Sequence, residues 1–183
     1  GREITFSAIS YLQELGHTKI GYIGEQNNEI RYTAFKEALK SFNLPFSQKN
    51  TANVKLSHEG GYQGAYRLME AKADVTAIFC ANDNTAIGAI KAIREKGYRI
   101  PEDISIIGVD DIETAQYLSP MLTTVHIPTE EMGQLRNTSP ERENFLQFTS
   151  IKRNRSMKYF SGISHTAVPS IVRFLQSSYF FLS

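Results

Sequence analysis

The chain has 183 residues, of which 41% are hydrophobic, and twenty basic against nineteen acidic residues leave a formal net charge of +1. This length and composition are typical of one well-packed domain or slightly more. A charge so close to neutral gives no field that would hold these residues on nucleic acid or an anionic membrane, so a DNA-binding role must come from elsewhere. The single cysteine excludes a disulfide framework, and no apolar run approaches the roughly 20 residues that span a bilayer.

Helical and strand patterns alternate along the first 127 residues. Apolar residues at helical spacing predict helices over residues 4–15, 31–42, 84–96 and from residue 57 or 58, with Gly16 and Gly97 as stop signals. Apolar runs predict strands over residues 19–24, 52–56, 77–80, 104–109 and 122–127. Strict alternation with short connections is typical of βαβ units, so we predict an α/β fold with three α-β-α layers around a parallel sheet.

Two of the predicted strands stop abruptly at polar residues. Asn82 and Asp83 follow the strand at 77–80, and Asp110 and Asp111 follow the strand at 104–109. Because open α/β sheets bind ligands at the carboxyl ends of their strands, these side chains are candidates for one site. They offer amide and carboxylate groups without a nucleophile or a metal-ligand cluster beside them. We therefore predict a site that holds a polyhydroxylated molecule, with no catalysis, cofactor or metal.

The same residue types also cap helices, which leaves alternatives open. Capping is the favoured role for Asp83, whereas Asp111 is evenly divided between capping and ligand contact. Adjacent residues on an extended segment point to opposite faces, so Asp110 and Asp111 are not a convergent acid/base pair and a hydrolase is disfavoured.

Three further side chains are chemically able to serve a function, but a structural role is favoured for each. Cys80 lies inside an apolar strand and is predicted to be a buried hydrophobe. His17 follows a glycine-capped helix end, where a structural role is favoured over a switch that titrates near neutrality. His126, on the last predicted strand, is likewise predicted to be structural.

Five segments together resemble the lactose/galactose-repressor family of bacterial transcription regulators, in the right order. They are Tyr11–Gly24 (YLQELGHTKIGYIG), Arg31–Phe35 (RYTAF), Phe79–Gly88 (FCANDNTAIG), Ile100–Asp111 (IPEDISIIGVDD) and Pro120–Val125 (PMLTTV). The resemblance covers residues 1–133, and galactose- or β-galactoside-operon repressors are the nearest kind. It implies the second lobe of a type I periplasmic-binding-protein-like fold, with residues 1–127 as an effector-binding and dimerisation lobe that includes the crossover strand.

The resemblance places effector contacts on Arg31, Asn82, Asp110 and Thr129. Arg31 offers a planar fork of donors suited to adjacent hydroxyls. Its alternative role, a surface charge on a first helical turn, is slightly unfavourable against the helix dipole. The implied partners are a small-molecule effector, a sugar, and operator DNA through a headpiece absent from this chain. A cytoplasmic homodimer is also implied, with an interface on the helix at 84–96 and near Tyr117 and with no membrane partner.

The tail and the second functional hypothesis remain open. Residues 128–183 form an atypical tail in which a helix is predicted from Glu130. Because periodicity is lost at Leu135, we interpret residues 136–183 as a frameshifted or otherwise non-native translation, with a divergent surface extension as the alternative. The alternative function is a periplasmic or lipid-anchored sugar-binding protein of a transporter. A helix-turn-helix encoded before Gly1 would favour the regulator, and a signal peptide the transport protein.

Overall fold

A computed structural model describes residues 1–127 and 150–152 of the chain. Its helices are α1 (Arg2–Glu14), α2 (Ile30–Ser41), α3 (His58–Glu70) and α4 (Asp83–Glu95). Its strands are β1 (Ile20–Gly24), β2 (Thr51–Asn53), β3 (Ala77–Cys80), β4 (Ser105–Val109), β5 (Thr123–His126) and β6 (Ser150–Lys152). The predicted helices and strands of the first 127 residues are thus confirmed, with small shifts at their ends.

The strands form one sheet in the order β2-β1-β3-β4-β5-β6. Strands β1 to β5 are parallel, as predicted, and β6 pairs antiparallel with β5. Strand β6 lies in the tail, at residues for which the sequence pattern predicts no strand. Its three residues pair through backbone hydrogen bonds, which need no apolar periodicity.

Successive strand residues point to opposite sides of the sheet, and in the central strands the residues on both sides are buried. Helices therefore cover both faces of the sheet. Tyr22 and Phe79 pack on the α1/α2 side, where they join Phe35 in a cluster of fully buried aromatic rings. Ile78 and Cys80 point to the α3/α4 side and are also fully buried. The three-layer prediction and the buried role of Cys80 are confirmed. No helix among the described residues is long and apolar enough to cross a membrane.

His17 lies at the amino edge of the sheet, the side at which β3 and β4 begin. Gly16 ends α1 with a φ of 92°, and the His17 amide donates to the Leu12 carbonyl at 3.0 Å, which closes the last helical turn. The imidazole is 2% exposed, with Nδ1 2.9 Å from the Thr76 hydroxyl and Nε2 3.1 Å from the Ser105 hydroxyl. Burial lowers the pKa of His17 to about 4, so the ring is neutral at pH 7. The structural role is confirmed.

Candidate functional site

Two of the predicted ligand residues meet at the carboxyl edge of the sheet, the side at which β1, β3 and β4 end. Arg31 lies in the first turn of α2, and its backbone amide donates to the Glu29 carboxylate, which caps the helix, at 3.1 Å. Asp110 directly follows β4. The Arg31 guanidinium lies 3.7 Å from Asp110 Oδ1. Because β3 separates β1 from β4 in the sheet, this contact spans the end of β3.

The contact between Arg31 and Asp110 is an ion pair without a hydrogen bond, since 3.7 Å exceeds hydrogen-bond distance. The two side chains are 21% and 37% exposed. Among the described residues, the buried Nε of Arg31 has no hydrogen-bond partner. Partial burial raises the pKa of Asp110, and the Arg31 charge acts in the opposite direction. Because their contact is not a hydrogen bond and both side chains are partly exposed, the guanidinium and the carboxylate can still form hydrogen bonds with a third molecule.

Asn82, the third predicted ligand residue, is the N-cap of α4. Its Oδ1 accepts from the Thr85 amide at 2.9 Å, and the residue is half-buried. The cap uses only the carbonyl oxygen of the side chain, which leaves the Nδ2 group as a donor of different chemistry. Because α4 follows β3, the central strand at this edge, Asn82 stands in sheet order between Arg31 and Asp110.

The capping role predicted for Asp83 is wrong. Asp83 is the first residue of α4 and is completely buried, while its neighbour Asn82 makes the cap. The Asp83 carboxylate accepts from the Thr124 hydroxyl at 2.7 Å and from the Ile112 amide at 3.0 Å. Burial raises the pKa of Asp83 to about 6, and these two hydrogen bonds act against that rise.

The backbone at Asp110 and Asp111 is not extended, so the geometry assumed for this doublet is wrong. Both residues have positive φ, 105° and 55°, a region that non-glycine residues occupy at a cost and that Asp tolerates better than most. The two side chains nonetheless diverge. Asp110 lies beside Arg31, and Asp111 Oδ2 lies 2.8 Å from His126 Nδ1. His126 therefore contacts a carboxylate, consistent with its predicted structural role.

Sequence reasoning missed the inward position of Asp83, although one signal for it exists. Gly108 lies inside the buried strand β4, and a glycine there often marks a close approach by another group. A methyl group added at Gly108 would collide with Asp83 Oδ1. Thr129, the remaining predicted ligand residue, lies outside the described residues. Within those residues, no three His, Cys, Asp or Glu side chains are grouped so that they could hold a metal ion.

A three-layer fold with polar side chains at the carboxyl edge of a parallel sheet is typical of ligand-binding α/β proteins, and comparison with known families agrees. A family model described as a periplasmic binding protein-like domain matches residues 9–136, and the chain belongs to this family. The HTH-type transcriptional repressor PurR of Photorhabdus laumondii is 40% identical over 129 residues, which are 68% of this chain and 38% of that protein. The chain therefore spans about two fifths of the length of this relative.

Solved structures give the same assignment. A sugar-binding regulator of the LacI family from Escherichia coli, complexed with phosphate, is 29% identical with a TM-score of 0.75 over 87% of this chain and 62% of its own. A LacI-family regulator from Enterococcus faecium with bound ribose is 28% identical with a TM-score of 0.69 over 87% and 63%. The resemblance to the effector-binding core of lactose/galactose-type repressors is thereby confirmed.

Proposed function

We propose that this chain is the sugar-sensing lobe of a transcriptional regulator and that the carboxyl edge of its sheet is one wall of the effector site. The observation that carries the proposal is the incomplete pairing of Arg31 with Asp110. A guanidinium is a donor only and a carboxylate an acceptor only. A hydroxyl group can accept from Arg31 and donate to Asp110 at once, so a diol satisfies both groups without breaking their attraction.

The charges at this edge favour a neutral ligand over an anion. The Escherichia coli neighbour is complexed with phosphate, and the Enterococcus faecium neighbour has bound ribose. An anion would gain from Arg31, but it would be repelled by the carboxylate of Asp110, which is 3.7 Å away from that guanidinium. A sugar avoids this repulsion and also finds a donor at Asn82. We keep Thr129 as a proposed fourth contact.

The regulator is favoured over the transport protein because its relatives are repressors. The PurR relative is named a transcriptional repressor, and both solved neighbours are named regulators of the LacI family. In such a switch, ligand binding shifts the equilibrium between two conformations and thereby the affinity for operator DNA. The DNA would be contacted by a headpiece outside this chain, in the cytoplasm.

A homodimer completes the proposal, with α4 and the segment near Tyr117 as the interface. Tyr117 is 73% exposed in a short 3-10 helix, and Tyr66 on the neighbouring helix α3 is 39% exposed. Tyrosine is enriched at protein interfaces, which supports this assignment.

Titration of the 183-residue chain, followed by amide NMR, tests the site. Galactose, lactose, allolactose and ribose are added separately, because NMR detects binding even when one wall of a cleft acts alone. We expect at least one sugar to shift the amide signals of Arg31, Asn82 and Asp110 and to leave those near His17 unchanged. Asp110→Ala should weaken that sugar about tenfold, since a hydrogen bond to a charged acceptor is lost.

The matched control is Asp103→Ala, which removes a carboxylate near the start of β4, at the opposite edge. Asp103 pairs with Arg99 at 2.7 Å, and no hydrogen bond or ion pair joins it to Arg31, Asn82 or Asp110. Its loss should leave sugar affinity unchanged. An Asp110→Ala variant that binds as tightly as the wild type would refute the assigned site, and the absence of any shift with all four sugars would refute the ligand class.

A further inference from the structure

A buried hydrogen-bond network lies directly behind the ligand-binding edge. It consists of Asp83, the Thr124 hydroxyl and the backbone amides of Asp111 and Ile112. Asp83 Oδ1 accepts from Thr124 at 2.7 Å and Oδ2 accepts from Ile112 at 3.0 Å, while the Asp111 amide donates to Thr124 Oγ1 at 3.2 Å. Asp83 and Thr124 are 0% and 1% exposed, so no ligand at the surface reaches them.

The network fixes the turn in which Asp110 lies. The two residues with positive φ after β4 are Asp110 and Asp111. A hydrogen bond holds the backbone at each end of this turn: the Asp110 amide donates to the Val125 carbonyl at 3.1 Å, and the Ile112 amide donates to Asp83. A non-glycine residue keeps such a conformation only where its surroundings hold it there. Asp83 belongs to α4 and Thr124 to β5, so two separate elements hold the turn from below.

The structure keeps space for this carboxylate. Gly108 faces Asp83 from β4, where any larger side chain would displace Oδ1. A buried carboxylate is costly unless its oxygens are hydrogen-bonded. Both oxygens of Asp83 accept hydrogen bonds, one from Thr124 and one from the Ile112 amide at the end of the turn. Asp83 therefore links α4 to β5 and to the turn that follows β4.

We infer that Asp83 is a positioning residue: through Thr124 and the amide of Ile112 it sets the turn that aims Asp110 at Arg31 and at the ligand. This inference rests on the proposed function, since it names a residue that acts on the same site without touching the effector. A positioning group of this kind contributes by holding a ligand-binding side chain in its productive geometry before the ligand arrives.

The test compares Asp83→Ala, Asp83→Asn and Thr124→Val with the wild type in the 183-residue chain. Two quantities are measured by NMR: hydrogen exchange at the amides of Asp111 and Ile112, and affinity for whichever of galactose, lactose, allolactose or ribose binds best. We expect Asp83→Ala and Thr124→Val to speed exchange at both amides and to weaken the sugar about tenfold each. Asp83→Asn keeps one acceptor for the Ile112 amide, so it should restore part of both properties.

The matched control is Ile93→Ala, a cavity variant on the same helix at its opposite end. Ile93 is fully buried on the α3/α4 side, so its truncation lowers global stability without touching the turn. It should leave sugar affinity and the local exchange of Asp111 and Ile112 unchanged once global unfolding is accounted for. If Asp83→Ala does not fold, Thr124→Val and Asp83→Asn give the result.

The outcomes separate this inference from the function on which it rests. Wild-type affinity retained in Asp83→Ala and Thr124→Val would overturn the positioning role and leave the effector site standing. Exchange no faster than in Ile93→Ala would overturn it even if no sugar bound. Failure of the wild type to bind all four sugars counts against the proposed function, and the exchange measurement then decides the role of Asp83 alone.

Discussion

The two edges of the sheet handle buried titratable groups in opposite ways. At the amino edge, His17 is neutral and its two ring nitrogens lie within hydrogen-bond distance of the Thr76 and Ser105 hydroxyls. At the carboxyl edge, the buried Asp83 carboxylate accepts a hydrogen bond from Thr124, whereas the partly exposed Arg31 and Asp110 form an ion pair without a hydrogen bond. The first arrangement only stabilises the fold. The second combines positive backbone φ angles with an ion pair that lacks a hydrogen bond, at residues that we propose bind the effector. The comparison therefore separates polar groups that stabilise the fold from those proposed to bind a ligand.

The largest effect is expected at the amino edge. His17→Ala should lower the free energy of unfolding by about 3 kcal/mol, because it leaves a cavity and removes the partner of the buried Ser105 hydroxyl. Urea unfolding of the variant and the wild type measures the loss. Sugar affinity should not change once the protein is folded. A loss below about 1 kcal/mol would mean that the amino edge is not the stabilising region that its geometry indicates.

The pH dependence of stability sharpens the comparison, because the two edges respond with opposite sign. The pKa of His17 is lowered from 6.5 to about 4, so its contribution to stability is lost as pH falls through this window. The pKa of Asp83 is raised from 3.8 to about 6, so its contribution is present at low pH and is lost as pH rises through about 6. In the wild type these trends oppose each other between pH 4 and 6.

Single variants reveal the two opposing trends. In His17→Gln, the free energy of unfolding should fall as pH rises from 4 to 6, and in Asp83→Asn it should rise over the same range, relative to the wild type. Each slope approaches about 1.4 kcal/mol per pH unit, the value for one proton. Urea unfolding at a series of pH values measures both. Equal slopes in the two variants would contradict the opposite assignments.

The smallest effect on stability is expected from the proposed ligand-binding pair, Arg31 and Asp110. Arg31→Ala should change the free energy of unfolding by less than about 1 kcal/mol, since a partly exposed ion pair at 3.7 Å without a hydrogen bond stabilises little. It should nevertheless weaken the best-binding sugar, as measured by the NMR titration. A large loss of stability with unchanged affinity would place Arg31 among the structural residues and reverse the assignment of the carboxyl edge.

The sequence pattern predicts most of the fold because periodicity depends on burial, and burial is regular in three layers. Strand β2 is displaced by up to three residues, since it is short and lies at the edge of the sheet. Strand β6 is missed altogether: Ser150–Lys152 has no apolar alternation, and its pairing depends on where β5 presents an open edge.

The site is predictable in location and less so in detail. Asp110 lies at the carboxyl edge as expected, because strand ends converge in a parallel sheet, and Arg31, which is assigned from the family resemblance, lies 3.7 Å from it. The cap of α4 is Asn82 and not Asp83, since both residue types cap helices and only the rotation of α4 decides which side chain turns inward. The turn at Asp110 and Asp111 likewise cannot be predicted from the sequence pattern, because the φ angles there depend on hydrogen bonds to Thr124 and Val125, which are distant along the chain.

The contact across the end of β3 has a mechanical consequence. Arg31 and Asp110 belong to the early and late parts of the described chain, so a ligand that bridges them acts as a reversible cross-link over the whole segment between them. Because such a ligand binds the folded state only, the free energy of unfolding rises with the logarithm of ligand concentration, and a ligand at one hundred times its dissociation constant adds about 2.7 kcal/mol. Occupancy would thus be readable as a rise in melting temperature, even without a change in shape.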